Sequence, residues 1–127
     1  MNYRETAEFK CDFKRLLKKF PSLIDDMEIT KRFRIELFHL KKIDNRSIFE
    51  IERVGNNKEL KFYKIKKFQC KSLKGRGSKS GIRVIYAFHC IICKVEFIEI
   101  YFKGNKENEN RERIKEYLKN FPQITHK

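Results

Sequence analysis

Long apolar runs are missing from this 127-residue chain: no stretch approaches the roughly 18 residues needed to cross a bilayer. The opening Met1-Asn-Tyr-Arg-Glu-Thr6 lacks the apolar centre of an export signal, so a cytoplasmic location is expected. Acidic residues are scarce, 17 against 31 Lys and Arg, which leaves a formal net charge of +14. An excess of that size points to nucleic acid, an anionic surface or an acidic protein partner, and by itself says nothing of fold. Cysteine is confined to Cys11, Cys70, Cys90 and Cys93, without the spacing of a disulfide framework, so reduced thiols are expected. Cys90-Ile-Ile-Cys93 beside His89 has metal-like spacing, yet no second CxxC or HxxxH completes a four-ligand set. The Ile-Ile pair favours a strand or apolar bend over a zinc-knuckle turn. No metal and no other cofactor is expected. The two remaining histidines read as a helix-surface residue, His39, and a tail residue, His126.

Other signatures are absent as well. Gly75-Arg-Gly-Ser-Lys-Ser-Gly81 has neither P-loop nor dinucleotide spacing and is followed by a strand pattern rather than a helix. It reads as a basic hairpin loop, either touching phosphates or merely kept soluble by its lysines. There is no paired-carboxylate signature, and Asp25-Asp26 suits the N-terminal end of a helix, where its charge complements the dipole.

What is present is enough for a core: 40% of residues are hydrophobic and twelve are Phe, consistent with one domain over residues 1–127. Phe9, Phe13, Leu16, Leu17 and Phe20 form one stripe at helical spacing, which predicts a helix over 7–20 closed by Pro21. Ser22, with Asp25 three residues on, resembles a capping box and predicts a second helix from about Leu23. Ile29, Phe33, Leu37 and Leu40 continue its apolar stripe, making a helical hairpin. A short strand is expected at 48–51, a turn at Gly55-Asn-Asn57, and strands over 60–69, 82–89 and 94–102. A helix from about residue 107 packs through Ile114, Tyr117, Leu118 and Phe121, with Pro122 just past its end. The order predicts an α+β fold, an N-terminal helical hairpin on a small antiparallel sheet with a C-terminal helix.

From Lys61 to Arg83 the chain carries nine Lys and Arg and no acid at all. Strand side chains alternate between faces, so Lys64 and Lys66 project from one side of the sheet, and Arg83 enters from the next strand. Such a cluster repels itself unless an anion binds, and it could surround a scissile phosphate, with Arg83 gripping its oxygens in bidentate fashion. Mutual repulsion would also ease proton loss from Lys64 or Lys66, and their charge would stabilise a pentacovalent phosphorane. The plainer alternative is a cationic binding face without chemistry.

Tyr63-Lys-Ile-Lys66, then Gly81-Ile-Arg-Val-Ile-Tyr86, then Ile98-Glu-Ile-Tyr-Phe-Lys103 and a short helix, preceded by a helical hairpin, resembles the RelE/ParE family of type II toxins. The resemblance spans about residues 7–118. Its RelE branch implies a metal-independent endoribonuclease that cuts mRNA on the ribosome, the substrate 2′-OH attacking the phosphate. Its ParE branch implies a gyrase inhibitor, and a non-catalytic basic RNA-binding domain is a further alternative. Carried over by residue, Lys64 and Lys66 match the two strand lysines of the RelE active face and Arg83 the arginine of the following strand. Lys103 is added as a catalytic candidate, with Lys106, Arg111 and Tyr117 weighed for the positions after the last strand and none aligning well. Tyr117 suits helix packing better. Lys61, Lys67, Lys71, Lys74, Arg76, Lys79 and Lys106 are expected RNA contacts. In either branch the resemblance implies a cognate antitoxin with an acidic segment that folds on binding. The first hairpin loop is longer than the family's compact turn.

Overall fold

In the computed structural model, residues 1–44, 46–73 and 80–120 are described. Strand β1 (Asn2–Glu5) leads into α1 (Ala7–Lys19), then α2 (Leu23–Thr30), a π-helical turn (Lys31–Ile35) and α3 (Glu36–Leu40). Strands β2 (Ile48–Glu50), β3 (Leu60–Ile65), β4 (Ile82–His89) and β5 (Lys94–Phe102) follow, and α4 (Arg111–Lys119) closes the order. The five strands form one sheet in the order β1-β5-β4-β3-β2. The pairs from β2 to β5 are antiparallel. The fold is α+β, with the helical hairpin, antiparallel sheet and C-terminal helix expected from the sequence.

Strand β1 was not expected. Four polar residues carry no alternation of their own, and the strand exists because it pairs parallel to β5, with Tyr3 stacked on Phe97 at 6.0 Å. Thr6 then caps α1, its Oγ1 accepting from the Phe9 N–H at 3.1 Å. The capping box at Ser22 does not form. Ser22 Oγ instead donates to Asp26 Oδ2 at 2.5 Å and exchanges hydrogen bonds with Ser72, tying the hairpin corner to the chain after β3.

The second half of the hairpin departs most from expectation. Apart from Asp26, which turns to Ser22, its buried positions are Leu23, Met27, Thr30, Ile35 and His39, spaced four, three, five and four apart. The interval of five is the π turn, whose extra residue rotates everything beyond it by about 100°. Phe33 and Leu40, expected to pack inward, therefore face outward, and Ile29, ahead of the turn, lies off the buried stripe of Leu23, Met27 and Thr30 and is exposed as well. His39, expected on the helix surface, is buried against the sheet.

Two apolar layers sandwich the sheet. Phe9, Leu16, Leu23, Ile35, Tyr63, Ile65, Val84, Tyr86 and Phe97 belong to the layer under the helical hairpin. Leu60, Phe62, Ile85, Ala87, Ile98 and Tyr101 face the other way and meet Ile114 and Tyr117 of α4. Asp12 of α1, 4% exposed, grips Arg113 of α4 with both oxygens, at 2.5 and 3.2 Å. Strand β3 ends earlier than expected and α4 starts later, after a charged approach over residues 103–110. Phe121, Pro122 and His126 lie outside the described residues. Cys90-Ile-Ile-Cys93 is the β4–β5 turn, with Ile91 and Ile92 exposed at its tip. Among the described residues no helix is long and apolar enough to cross a membrane.

Candidate functional site

The β3–β4 register pairs Lys64 with Ile85 and Ile65 with Val84. Continued by one residue, it sets Lys66 beside Arg83, and the Arg83 Nη1 donates to the Lys66 carbonyl at 2.8 Å. Lys64, Lys66 and Arg83 thus share the face that α4 only partly covers. On β5, Tyr101 lies directly across from Arg83. Lys66 leans over the ring of Phe49, its Nζ 4.8 Å from the centroid, and Phe49 is in turn the β2 partner of Lys64. This is a cation–π contact at the rim, which orients the ammonium while leaving it near water.

An acid occupies the middle of this face. Glu109, in the approach to α4, sets Oε1 2.5 Å from the Lys64 Nζ and Oε2 3.2 Å from the Arg111 Nε. Its side chain is 7% exposed and that of Lys64 17%. Lys64 is the one side-chain partner of Glu109 Oε1 among the described residues. Burial by itself pushes the Glu109 carboxyl up. Hydrogen bonding to Lys64 and to its own backbone N–H, with the charges of Lys64 and Arg111, outweighs burial and holds it below the usual carboxylate range. Glu109 therefore offsets the repulsion among the cations around it. Tyr101 is pushed up to about 12, first by burial and then by Glu109 and Glu99, with Arg83 opposing. At neutral pH it is a donor, not a base.

Beside these residues is an open cleft of about 170 Å³ lined by Lys64, Lys66, Phe49, Glu109, Arg111 and the 50–52 segment. It is far below the size of pockets that enclose drug-sized ligands and suits one charged group of a larger molecule. Its rim is not uniformly basic. Glu50 is there, accepting from Asn56 Nδ2 at 2.8 Å, and the Glu52 carbonyl accepts from Arg111 Nη1 at 3.1 Å.

The other expected residues divide. Lys103 is exposed one residue beyond β5, its N–H donating to the Gly81 carbonyl at 2.8 Å, at the edge of the face rather than in the cleft. Lys106 is drawn into an ion pair with Glu99, 2% exposed, and its Nζ lies 5.3 Å from the centre of the Tyr101 ring. Lys61 alternates to the opposite face from Lys64. Lys67 and Lys71 are exposed along the segment after β3, where the Lys71 N–H reaches Asp26. Lys74, Arg76 and Lys79, with most of the Gly75–Gly81 loop, lie outside the described residues. Gly81, at φ +87°, turns the chain into β4 and so sets where Arg83 begins.

Glu109 and Phe49 escaped the sequence reading, as did the place of Tyr101. Glu109 is one acid in a charged run, and only packing shows that it turns inward. Arg111 was weighed, but the partner that defines it was not visible. Tyr117 packs on Phe62 as expected and also links His89 Nε2, at 2.6 Å, to Glu96 Oε1, at 2.7 Å. His89 is thereby engaged away from Cys90 and Cys93. Among the described residues no group of three or more His, Cys, Asp or Glu is arranged to hold a metal ion.

The sequence matches no family model, and no curated protein is similar to it. Among solved structures the chain is similar to the crystal structure of an archaeal RelE–RelB complex from Pyrococcus horikoshii OT3. The alignment covers 81% of this chain and 94% of that one, with a TM-score of 0.47 and 12% identity.

Proposed function

We propose that this protein is the toxin of a toxin–antitoxin pair, a metal-independent endoribonuclease that cuts ribosome-bound mRNA and is restrained by an antitoxin with an acidic segment. The observation that carries the reading is the register of β3 on β4, which groups Lys64, Lys66 and Arg83 on one open face. These are the residues selected independently by the charge pattern and by the strand motifs. A phosphodiester in the cleft meets the two ammonium groups, while Arg83, which does not line the cleft and sits beside Lys66 with Nη1 on backbone carbonyls, is to reach the equatorial oxygens from the edge as charge develops. In this scheme the 2′-OH attacks the adjacent phosphorus, the P–O5′ bond breaks, and a 2′,3′-cyclic phosphate and a 5′-OH result. Lys64 and Lys66 polarise the phosphate and stand close enough to move protons.

The test is induced expression of the wild type and of the Lys64→Ala/Lys66→Ala/Arg83→Ala variant at matched level, with mapping of mRNA 5′ ends inside reading frames. Wild type should arrest growth and leave new ends; the variant should fold, by circular dichroism, and do neither. Undiminished toxicity in a folded variant would discard the assignment. One observation favours a non-catalytic RNA-binding face instead: Lys64 is already engaged by Glu109. That reading predicts RNA bound with a steep salt dependence but uncut on translating ribosomes. Loss of supercoiling in a purified gyrase assay, with mRNA intact, would point to the ParE type of action.

A further inference from the structure

We propose that Glu109 is a built-in competitor for the phosphate seat, so that an RNA phosphodiester occupies the face of Lys64, Lys66 and Arg83 only by displacing this carboxylate. The inference deepens the reading above and rests on its claim that RNA phosphate binds there. Carboxylate and phosphate present similar oxygens to Lys and Arg, and the same donors serve both. Glu109 already holds one of the three, Lys64 at 2.5 Å, together with Arg111 at 3.2 Å, and its carboxylate lines the open cleft.

The fit is incomplete in a way that favours exchange. Among the described side chains Oε1 pairs with Lys64 alone, so one ammonium is all that holds that oxygen in the seat. A phosphodiester has the same two anionic oxygens but spreads them tetrahedrally beside two ester oxygens, and the cleft it would enter is also lined by Lys66. Displacement also leaves the frame intact. Glu99 pairs with Lys106 and accepts from the Asn110 N–H at 2.8 Å, pinning the segment on both sides of Glu109. Rotation of one side chain into water is then sufficient, with α4 left in place.

If Glu109 were only a strut fastening the approach of α4 to β3, removing its charge would loosen the fold and weaken RNA binding. A competitor gives the opposite sign. The measurement is fluorescence anisotropy of a labelled single-stranded RNA of about ten nucleotides, titrated with wild type, Glu109→Gln and Glu109→Asp across a salt series. Glu109→Gln should bind roughly tenfold more tightly at low salt. Its log–log salt slope should steepen by about 0.7, the increment for one further phosphate contact on a single strand. Glu109→Asp keeps the charge but withdraws it by one methylene from Lys64, and should fall between the two. Equal or weaker binding by folded Glu109→Gln overturns the proposal. Should that variant fail to fold, Glu109→Asp decides alone: tighter binding supports the competitor and unchanged or weaker binding refutes it. The Lys64→Ala/Lys66→Ala/Arg83→Ala protein separates the two failures. If it binds RNA as wild type does, the site reading fails; if it loses binding while the Glu109 variants gain none, only the competitor fails.

Discussion

Replacing His39 and Tyr86 together, by Phe at both positions, should remove much of the acid sensitivity of this protein while leaving its fold in place. His39 is 8% exposed and joined to the fully buried Tyr86 hydroxyl by a 2.7 Å hydrogen bond through Nε2. Its ring stacks on Phe88 at 3.9 Å and meets Phe38 and Tyr63 edge-on, at 4.9 Å each. Burial, and secondarily the charge of Lys42, pushes the imidazole down to about 4 from its ordinary 6.5. The unfolded chain therefore binds a proton at a pH where the folded one does not. Stability is complete above pH 6.5 and falls as pH drops towards 4, by about 3 kcal/mol in all. Between pH 7.5 and 5.0 the loss from this residue is about 2 kcal/mol. Urea unfolding at the two pH values measures it. The double variant keeps the aromatic packing, and the Tyr86 hydroxyl it also removes does not titrate in this range, so its loss over the same interval should be smaller by about that amount. His39→Phe alone should cost about 1–3 kcal/mol at pH 7.5, because the Tyr86 hydroxyl is left buried without its partner. Parallel pH profiles for wild type and the double variant would refute the argument.

Asp12→Ala should destabilise by about 2–3 kcal/mol in urea, below the usual figure for a broken buried pair because Arg113, 23% exposed, can turn partly to water. Adding Arg113→Met should recover part of that loss, whereas additivity of the two changes would argue against a direct pair. Gly81→Ala should cost about 1–2 kcal/mol through its positive φ, with the new methyl also 3.3 Å from the Phe102 ring. Because Gly81 opens β4, the same change should weaken the RNA binding proposed at Arg83 more than an alanine on the far side of the sheet does; equal effects would remove its role in placing the proposed site.

Much of the site was legible because it depends on local periodicity. Two-residue alternation is a property of any strand, so Lys64 and Lys66 could be placed on one face from the strand pattern alone. Strands β4 and β5 occupy the ranges their alternation marks, and helix α1 ends at the proline that cannot continue it. Charge counting also survives folding, since no arrangement of 17 acids neutralises 31 bases. Where expectation failed, the deciding contact lies far along the chain. Strand β1 forms on the β5 edge, and no four-residue polar segment announces that alone. The π turn at Lys31–Ile35 is selected by what it buries: it turns Ile35 and His39 inward and leaves Phe33 in water. A helical stripe drawn at constant pitch cannot anticipate one extra residue.

The sequence by itself determined a strongly basic α+β chain with Lys64 and Lys66 on one strand face, because composition and strand pleat are set residue by residue; the β3–β4 register adds Arg83 to that face. Tertiary structure alone decided what those cations meet. Folding brings Glu109 to Lys64, Tyr101 across from Arg83 and Phe49 beneath Lys66. It also buried His39, and in part His89, against protonation. The reason is physical: ion pairing and desolvation depend on distances of a few ångströms between residues remote in the chain, and only packing sets those.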